Sequence, residues 1–140
     1  MKKITINLSF YNQSDILIEQ VESWKNWRKE IRDQYSFCII DDGSKIPATE
    51  VLKDEDLSEL DLSILRVKED LKWNIAGVRN LSAQECETEW MMILDMDCFV
   101  PQETAEGMLQ LANLGGHNAY KFTRRVLNNY NHPKHGDPHP

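Results

Sequence analysis

The chain is poor in cysteine, in basic residues and in long apolar runs. Three cysteines, Cys38, Cys86 and Cys98, are an odd number and show no CxxC spacing. They fit no disulfide framework and read as reduced thiols of a cytoplasmic protein. No stretch approaches the roughly 20 apolar residues that a membrane-spanning helix needs, so no transmembrane segment is expected. The opening "MKKITINLSFYNQ" has a basic pair, but its apolar part is too short for a signal peptide. Sixteen Lys and Arg face 23 Asp and Glu, a net charge of -7. That balance argues against a general nucleic-acid binder, which needs a basic face. The basic residues gather only late, at Lys121, Arg124, Arg125 and Lys134. They are too few to grip a duplex but enough to meet a phosphate.

What is present is ordinary for a globular chain. With 140 residues, 41% apolar and 28% charged, the sequence bounds one domain with one core. No internal repeat or low-complexity block precedes the tail.

The hydrophobic period switches between two and about 3.6 along the chain. "KITINLSF" alternates Ile4, Ile6, Leu8 and Phe10 and predicts a strand. Ser14 follows as an N-cap with Asp15 in the first turn. Leu17, Val21, Trp24, Trp27 or Arg28, and Ile31 then predict a helix to about Asp33. "YSFCII" reads as a second strand closed by the turn "DDGS". Residues 47–60 are acidic and suit a short surface helix or two. "LSILRV", residues 62–67, is a third strand, and a helix is expected over 74–87. "EWMMILDM" is a continuous apolar strand of the kind buried on both faces of a parallel sheet. "PQETAEGMLQLANL" is a helix ended by Gly115-Gly116. "NAYKFTRRV" alternates and predicts a last strand. The chain therefore divides into a domain at 1–126 and a His- and Pro-rich tail at 127–140. The order β-α-β-(α)-β-α-β-α-β implies a three-layer α/β/α sandwich around a mostly parallel sheet.

In such sheets ligands bind beyond the carboxyl ends of the strands. Three of those ends carry polar clusters: Phe10-Tyr11-Asn12, Asp41-Asp42-Gly43-Ser44 and Asp95-Met96-Asp97. "IIDDGS" alone reads as a tight turn whose Asp side chains cap backbone donors. It also offers an acceptor for the imide N–H of a pyrimidine, because an ionised Asp only accepts. In "LDMDCFVP", Asp95 and Asp97 point to the same side if the strand persists that far. Two such carboxylates repel unless a cation lies between them. Mg2+ or Mn2+ takes one or two carboxylates plus substrate phosphates. The ordinary alternative is a pair of solvated turn aspartates. In "WNIAGVRN", Arg79 can clamp a base or phosphate with its planar fork, and Gly77 permits a close backbone approach. An ordinary surface arginine is the competing reading. In the tail, His132 and His135 could add a metal ligand, although their spacing matches no structural zinc pattern. His117 reads as a turn residue. Trp24, Trp27 and Trp90 read as core. Trp73 reads either as core or as lining of the crevice.

Taken together, "INLSFYN", "FCIIDDGS", "NIAGVRN" and "WMMILDMDCFVP" resemble the nucleotide-binding half of family-2 glycosyltransferases with the GT-A fold, over roughly residues 3–126. The resemblance implies that Phe10, Tyr11 and Asn12 border the nucleotide. It implies that Asp42 contacts the uracil beside Asp41, and that Asn74 and Arg79 approach the base or diphosphate. It implies further that Asp95, Met96 and Asp97 form a DxD site reading the ribose or donor sugar and coordinating Mn2+ or Mg2+, with Asp97 the direct ligand. The implied partners are a UDP-sugar donor and an unknown acceptor. Members of that family usually continue past this length into an acceptor region with an acidic base. No such motif follows Asp97 here, so no catalytic residue is assigned. Two outcomes follow: a hexosyltransferase with donor hydrolysis as a side reaction, or a sugar-nucleotide-binding module without efficient transfer. A phosphotransferase with an Asp-x-Asp nucleophile would place the pair on the first strand, before a Thr. A nucleotidyltransferase would need a Gly-rich loop where "FYNQS" stands. A short chain whose sheet is incompletely covered could hide apolar surface by self-association into a homo-oligomer.

Overall fold

A computed structural model describes residues 1–125 of the chain. The tail with His132 and His135, and the last residue of the 1–126 domain, lie outside the described residues. Four parallel strands, β1 (Ile4–Phe10), β2 (Tyr35–Asp41), β3 (Leu62–Arg66) and β4 (Trp90–Leu94), form a sheet in the order β3-β2-β1-β4. The intervening helices are α1 (Ser14–Lys25), α2 (Lys29–Arg32), α3 (Ala48–Val51), α4 (Ile75–Glu85) and α5 (Gln102–Leu114).

Alternation along β1 sends Ile4, Ile6, Leu8 and Phe10 to one face, where all are buried. Tyr35, Phe37 and Ile39 of β2 share that face with Leu17, Val21 and Trp24 of α1 and Ala105, Met108 and Leu109 of α5. Trp24 stacks on Phe37 with ring centroids 4.6 Å apart. The Tyr35 hydroxyl donates to the Ala105 carbonyl at 2.7 Å and ties α5 to the sheet. Desolvation raises the Tyr35 pKa, so the phenol stays protonated as this bond requires.

The opposite face is thinner. Cys38 and Ile40 of β2 pack against Val78 of α4, and burial pushes the Cys38 thiol up. Chain direction explains the two layers. The path β1→β2→β3 moves one way and places α1 and α3 on the first face. The return from β3 to β4 places α4 on the second, as right-handed crossovers demand. Among the described residues no helix is long and apolar enough to cross a membrane.

Three expectations need correction. The helix expected to reach Asp33 breaks after Lys25, and Trp27 turns into the core against Tyr35. Arg32, itself buried, makes the break tolerable. Its Nη1 donates to the carbonyls of Lys25 at 2.7 Å and Trp27 at 3.4 Å, satisfying acceptors that a helix end leaves open. Second, β4 is not covered on both faces. It lies at the sheet edge among the described residues, with Met91 and Ile93 38% and 43% exposed. Trp90 is accordingly only partly buried, packed against the core's edge. Third, residues 118–125 form neither helix nor strand. Alternating side chains describe a surface, but a strand also needs a partner's hydrogen bonds. Here Tyr120 instead lays its ring 5.9 Å from that of Trp90.

Trp24 carries the largest side chain wholly inside the main core. Trp24→Ala is expected to cost about 3–5 kcal/mol, read as a lower urea midpoint with an unchanged slope.

Candidate active site at the strand ends

The sheet order reverses between β1 and β4, and the crevice outside their carboxyl ends is where such sheets receive ligands. Strand β1 delivers Tyr11 and Asn12, β2 delivers Asp41 and Asp42, and β4 delivers Asp95 and Asp97.

Asp41 is 1% exposed. Its Oδ1 accepts from the Ser44 backbone N–H and its Oδ2 from the Ala48 N–H, both at 2.9 Å. Arg66 lies 3.4 Å from Oδ2 and also donates to the Ser44 carbonyl at 3.0 Å. Asp41 is thus occupied in holding the turn and does not present its carboxylate to a ligand, contrary to its expected place at the base. Gly43 has φ +80°, and a Cβ there would lie 3.0 Å from the Asp70 backbone. Only glycine meets both demands.

Asp42 is the less buried of the two carboxylates. Its Oδ1 accepts from Asn74 Nδ2 at 3.0 Å. Among the described residues its Oδ2 takes no hydrogen bond. Asn74 sits at the N-cap of α4 but gives no side-chain cap bond there. Its amide is spent on Asp42 and folds so closely over the helix that a Cβ at Gly77 would lie 2.3 Å from Asn74 Oδ1. The close approach foreseen at Gly77 is therefore to Asn74.

Phe10 is wholly buried, so its side chain does not reach the crevice. Its carbonyl accepts from the Asp42 N–H at 2.9 Å. Tyr11 is half exposed, and its hydroxyl donates to both Asp70 oxygens at 2.9 and 3.0 Å. That bond raises the phenol's pKa. Asn12 adopts φ +51°, a conformation Asn tolerates better than most. Its N–H donates to Ser44 Oγ at 3.0 Å, and its Oδ1 accepts from the Lys45 N–H at 2.8 Å. The ends of β1 and β2 are thereby braced together.

Strand β4 stops at Leu94, and Asp95–Cys98 forms a turn closed by Cys98 N–H donating to the Asp95 carbonyl at 3.0 Å. Strand alternation therefore no longer governs where Asp95 and Asp97 point. Asp97 is exposed, whereas Asp95 is half-buried between two arginines. Arg124 reaches Asp95 Oδ2 at 2.8 Å and Arg79 reaches Oδ1 at 3.9 Å. Met96 packs its side chain against the main core. Two carboxylates in one turn are the hard oxygen donors that Mn2+ or Mg2+ prefers. Among the described residues no group of three or more His, Cys, Asp or Glu could hold an ion.

Two supporting residues escape sequence reading. Gln20 of α1 is fully buried and donates to the carbonyls of Met96, at 2.9 Å, and Cys98, pinning the turn that carries both aspartates. The signal for it was a polar residue inside the apolar stripe of Leu17, Val21 and Trp24. Asp70 lies in a charged stretch, and nothing local marked it as a partner for Tyr11.

Asp41→Ala is expected to cost about 2–4 kcal/mol, because two buried N–H groups lose their acceptor. Exposed Asp97→Ala is expected to stay within about 0.5 kcal/mol of wild type. Urea unfolding of the two variants side by side checks the contrast.

Comparisons with known proteins agree with this fold. Teichoic acid poly(glycerol phosphate) polymerase of Staphylococcus epidermidis is 31% identical over 97 residues, 69% of this chain and 13% of that protein. A mannosyltransferase from Pyrobaculum calidifontis, solved with GDP-Man and Mn2+, superposes with TM-score 0.63 at 19% identity, over 79% of this chain and 30% of that one. S. aureus TarS in complex with UDP-GlcNAc gives 0.62 at 15% identity, over 80% and 31%. The chain thus spans under a third of the length of these relatives. The structural likenesses show a shared GT-A, Rossmann-like fold. The family model for glycosyl transferase family 2 matches residues 5–138, nearly the whole sequence, and this chain belongs to that family.

Proposed function

We propose that residues 1–126 form a nucleotide-sugar-binding domain. In this reading it takes a UDP-sugar donor, UDP-glucose-like, and serves transfer of its hexose to an acceptor hydroxyl. The observation that carries the reading is the meeting of Tyr11, Asp42 with Asn74, and Arg79 with Asp95 outside the strand ends where the sheet order reverses. The outward oxygen of Asp42 suits a base N–H. Arg79 and Arg124 suit a diphosphate, because guanidinium is a planar donor that pairs with phosphate oxygens.

Asp95 and Asp97 would hold Mn2+ or Mg2+, and His132 or His135 would add a ligand from the tail. A divalent cation there supplies charge stabilisation as the nucleoside diphosphate departs. The divalent ion in the mannosyltransferase complex supports this assignment. Support for a sugar nucleotide comes from the GDP-Man and UDP-GlcNAc of the two solved neighbours. Self-association and a cytoplasmic location belong to the same proposal.

A second reading has its own observation. Among the described carboxylates at the strand ends, Asp41 is bound to backbone, Asp42 through one oxygen to Asn74, Asp70 to Tyr11 and Asp95 to arginine, and the exposed Asp97 is the one assigned to the cation. Transfer needs a base within hydrogen-bond reach of the acceptor hydroxyl. A module that binds the donor, hydrolysing it slowly or not at all, fits that occupancy.

UDP with Mn2+ at about 100 times its dissociation constant should stabilise the fold by about 2.7 kcal/mol. In a thermal-shift assay that appears as a rise of several degrees, and Asp97→Ala should remove its manganese-dependent part. Absence of any shift at millimolar UDP overturns donor binding. UDP release from UDP-glucose then separates the readings: stimulation by added sugar acceptors supports transfer, and indifference to them supports the module.

A further inference from the structure

The loop between β3 and α4, residues 67–74, is held to the strand ends at two points. Asp70 takes the Tyr11 hydroxyl at 2.9 Å, and its backbone lies against Gly43. Asn74 donates to Asp42 at 3.0 Å. Between these fastenings stands Trp73, which is 88% exposed and has φ +58°.

Both properties are costly. An indole left in water forgoes the burial that aromatic side chains gain elsewhere, and a left-handed backbone is a true outlier for a bulky residue. Such strain persists only where its surroundings impose it. Asn74, the next residue, is itself held by Asp42 and lies close over Gly77. The other tryptophans lie inside or pack at the edge of the core: Trp24 and Trp27 are buried, and Trp90 is partly so. Leu71 and Ile75, two residues to either side, are also about half exposed. The loop thus exposes three apolar side chains, and Asn74 at its end holds Asp42, a hydrogen-bond acceptor.

A flat aromatic face next to a hydrogen-bond acceptor is what a nucleobase needs: a plane to stack on and a group to read its edge. We infer that Trp73 is a stacking residue for the base of the donor nucleotide, one residue from the Asn74 that orients Asp42. This rests on the donor-binding reading above and adds a residue to it. Stacking tolerates any base, so Trp73 would supply affinity, while Asp42 discriminates among bases.

The test is calorimetric titration of wild type, Trp73→Phe and Trp73→Ala with UDP, GDP and pyrophosphate, each with Mn2+. Tryptophan emission is followed in parallel. The expected result is quenching of wild-type emission by both nucleotides and affinity for both reduced about tenfold in Trp73→Ala. Trp73→Phe should lie within about threefold of wild type, since it keeps a ring to stack on. Pyrophosphate, which has no base, should bind all three proteins alike. Equal nucleotide affinity in wild type and Trp73→Ala overturns the inference and leaves donor binding standing. So does an equal loss for pyrophosphate, which would mark a structural role. So does a Trp73→Ala protein that changes only its oligomeric state on size-exclusion, which would make the ridge a contact between copies. A wild type that binds neither nucleotide overturns the donor-binding reading itself.

Discussion

The crevice is built on one buried carboxylate. Asp41 closes β2 inside the protein and is tolerable there only because the Ser44 and Ala48 N–H groups and Arg66 meet its oxygens. Satisfying it forces the chain into the Gly43 turn. The turn sets Ser44 under Asn12, and Asn12 bonds Lys45 in return. It also seats the Asp70 backbone on Gly43, which brings Asp70 to Tyr11. Asp42, the next residue, has its peptide N–H bonded to Phe10 and its carboxylate to Asn74. Three segments distant in sequence become one wall through the coordination of a single side chain.

The opposite wall is organised by charge. Asp95 would repel Asp97 and resist partial burial, and Arg79 and Arg124 compensate it. Both arginines are half or more exposed, and ion pairs of that kind contribute little net stability. Weak pairs can be exchanged at low cost. Gln20 supplies the rigidity that charge does not. It reaches from the core of α1 to the carbonyls on either side of Asp97, so the aspartates ride on a turn anchored inside the protein.

Much of the fold was legible because a strand with one buried face repeats apolar residues with period two. Ile4, Ile6, Leu8 and Phe10 announced β1 and its buried face. Failures occurred where local pattern and tertiary partner part company. The helical spacing of Trp24, Trp27 and Ile31 holds in the sequence, yet Trp27 is buried by a break that Arg32 supports from several residues away. The apolar run of β4 suggested cover on both faces, but which strands have neighbours is decided by topology. Residues 118–125 alternate without a strand to pair with. At the site, the strand-end clusters were visible as polar residues closing apolar runs. The division of labour between Asp41 and Asp42 was not, since adjacent residues of one type carry no local mark of which points inward.

The sequence by itself determined the α/β alternation, the parallel sheet and the three strand ends that carry polar clusters, because periodicity and turn residues act over a few positions. It also carried enough pattern to place the chain in glycosyl transferase family 2. Only the tertiary structure decided which of the two adjacent carboxylates is buried in the turn. It also decided that Asn74 serves Asp42 rather than its own helix, that Gln20 steadies the aspartate turn, and that Trp73 stands in solvent. The bonds made by Asn74, Gln20 and Tyr11 join residues some 30 to 80 positions apart. Such bonds exist only once the sheet has brought its strand ends together.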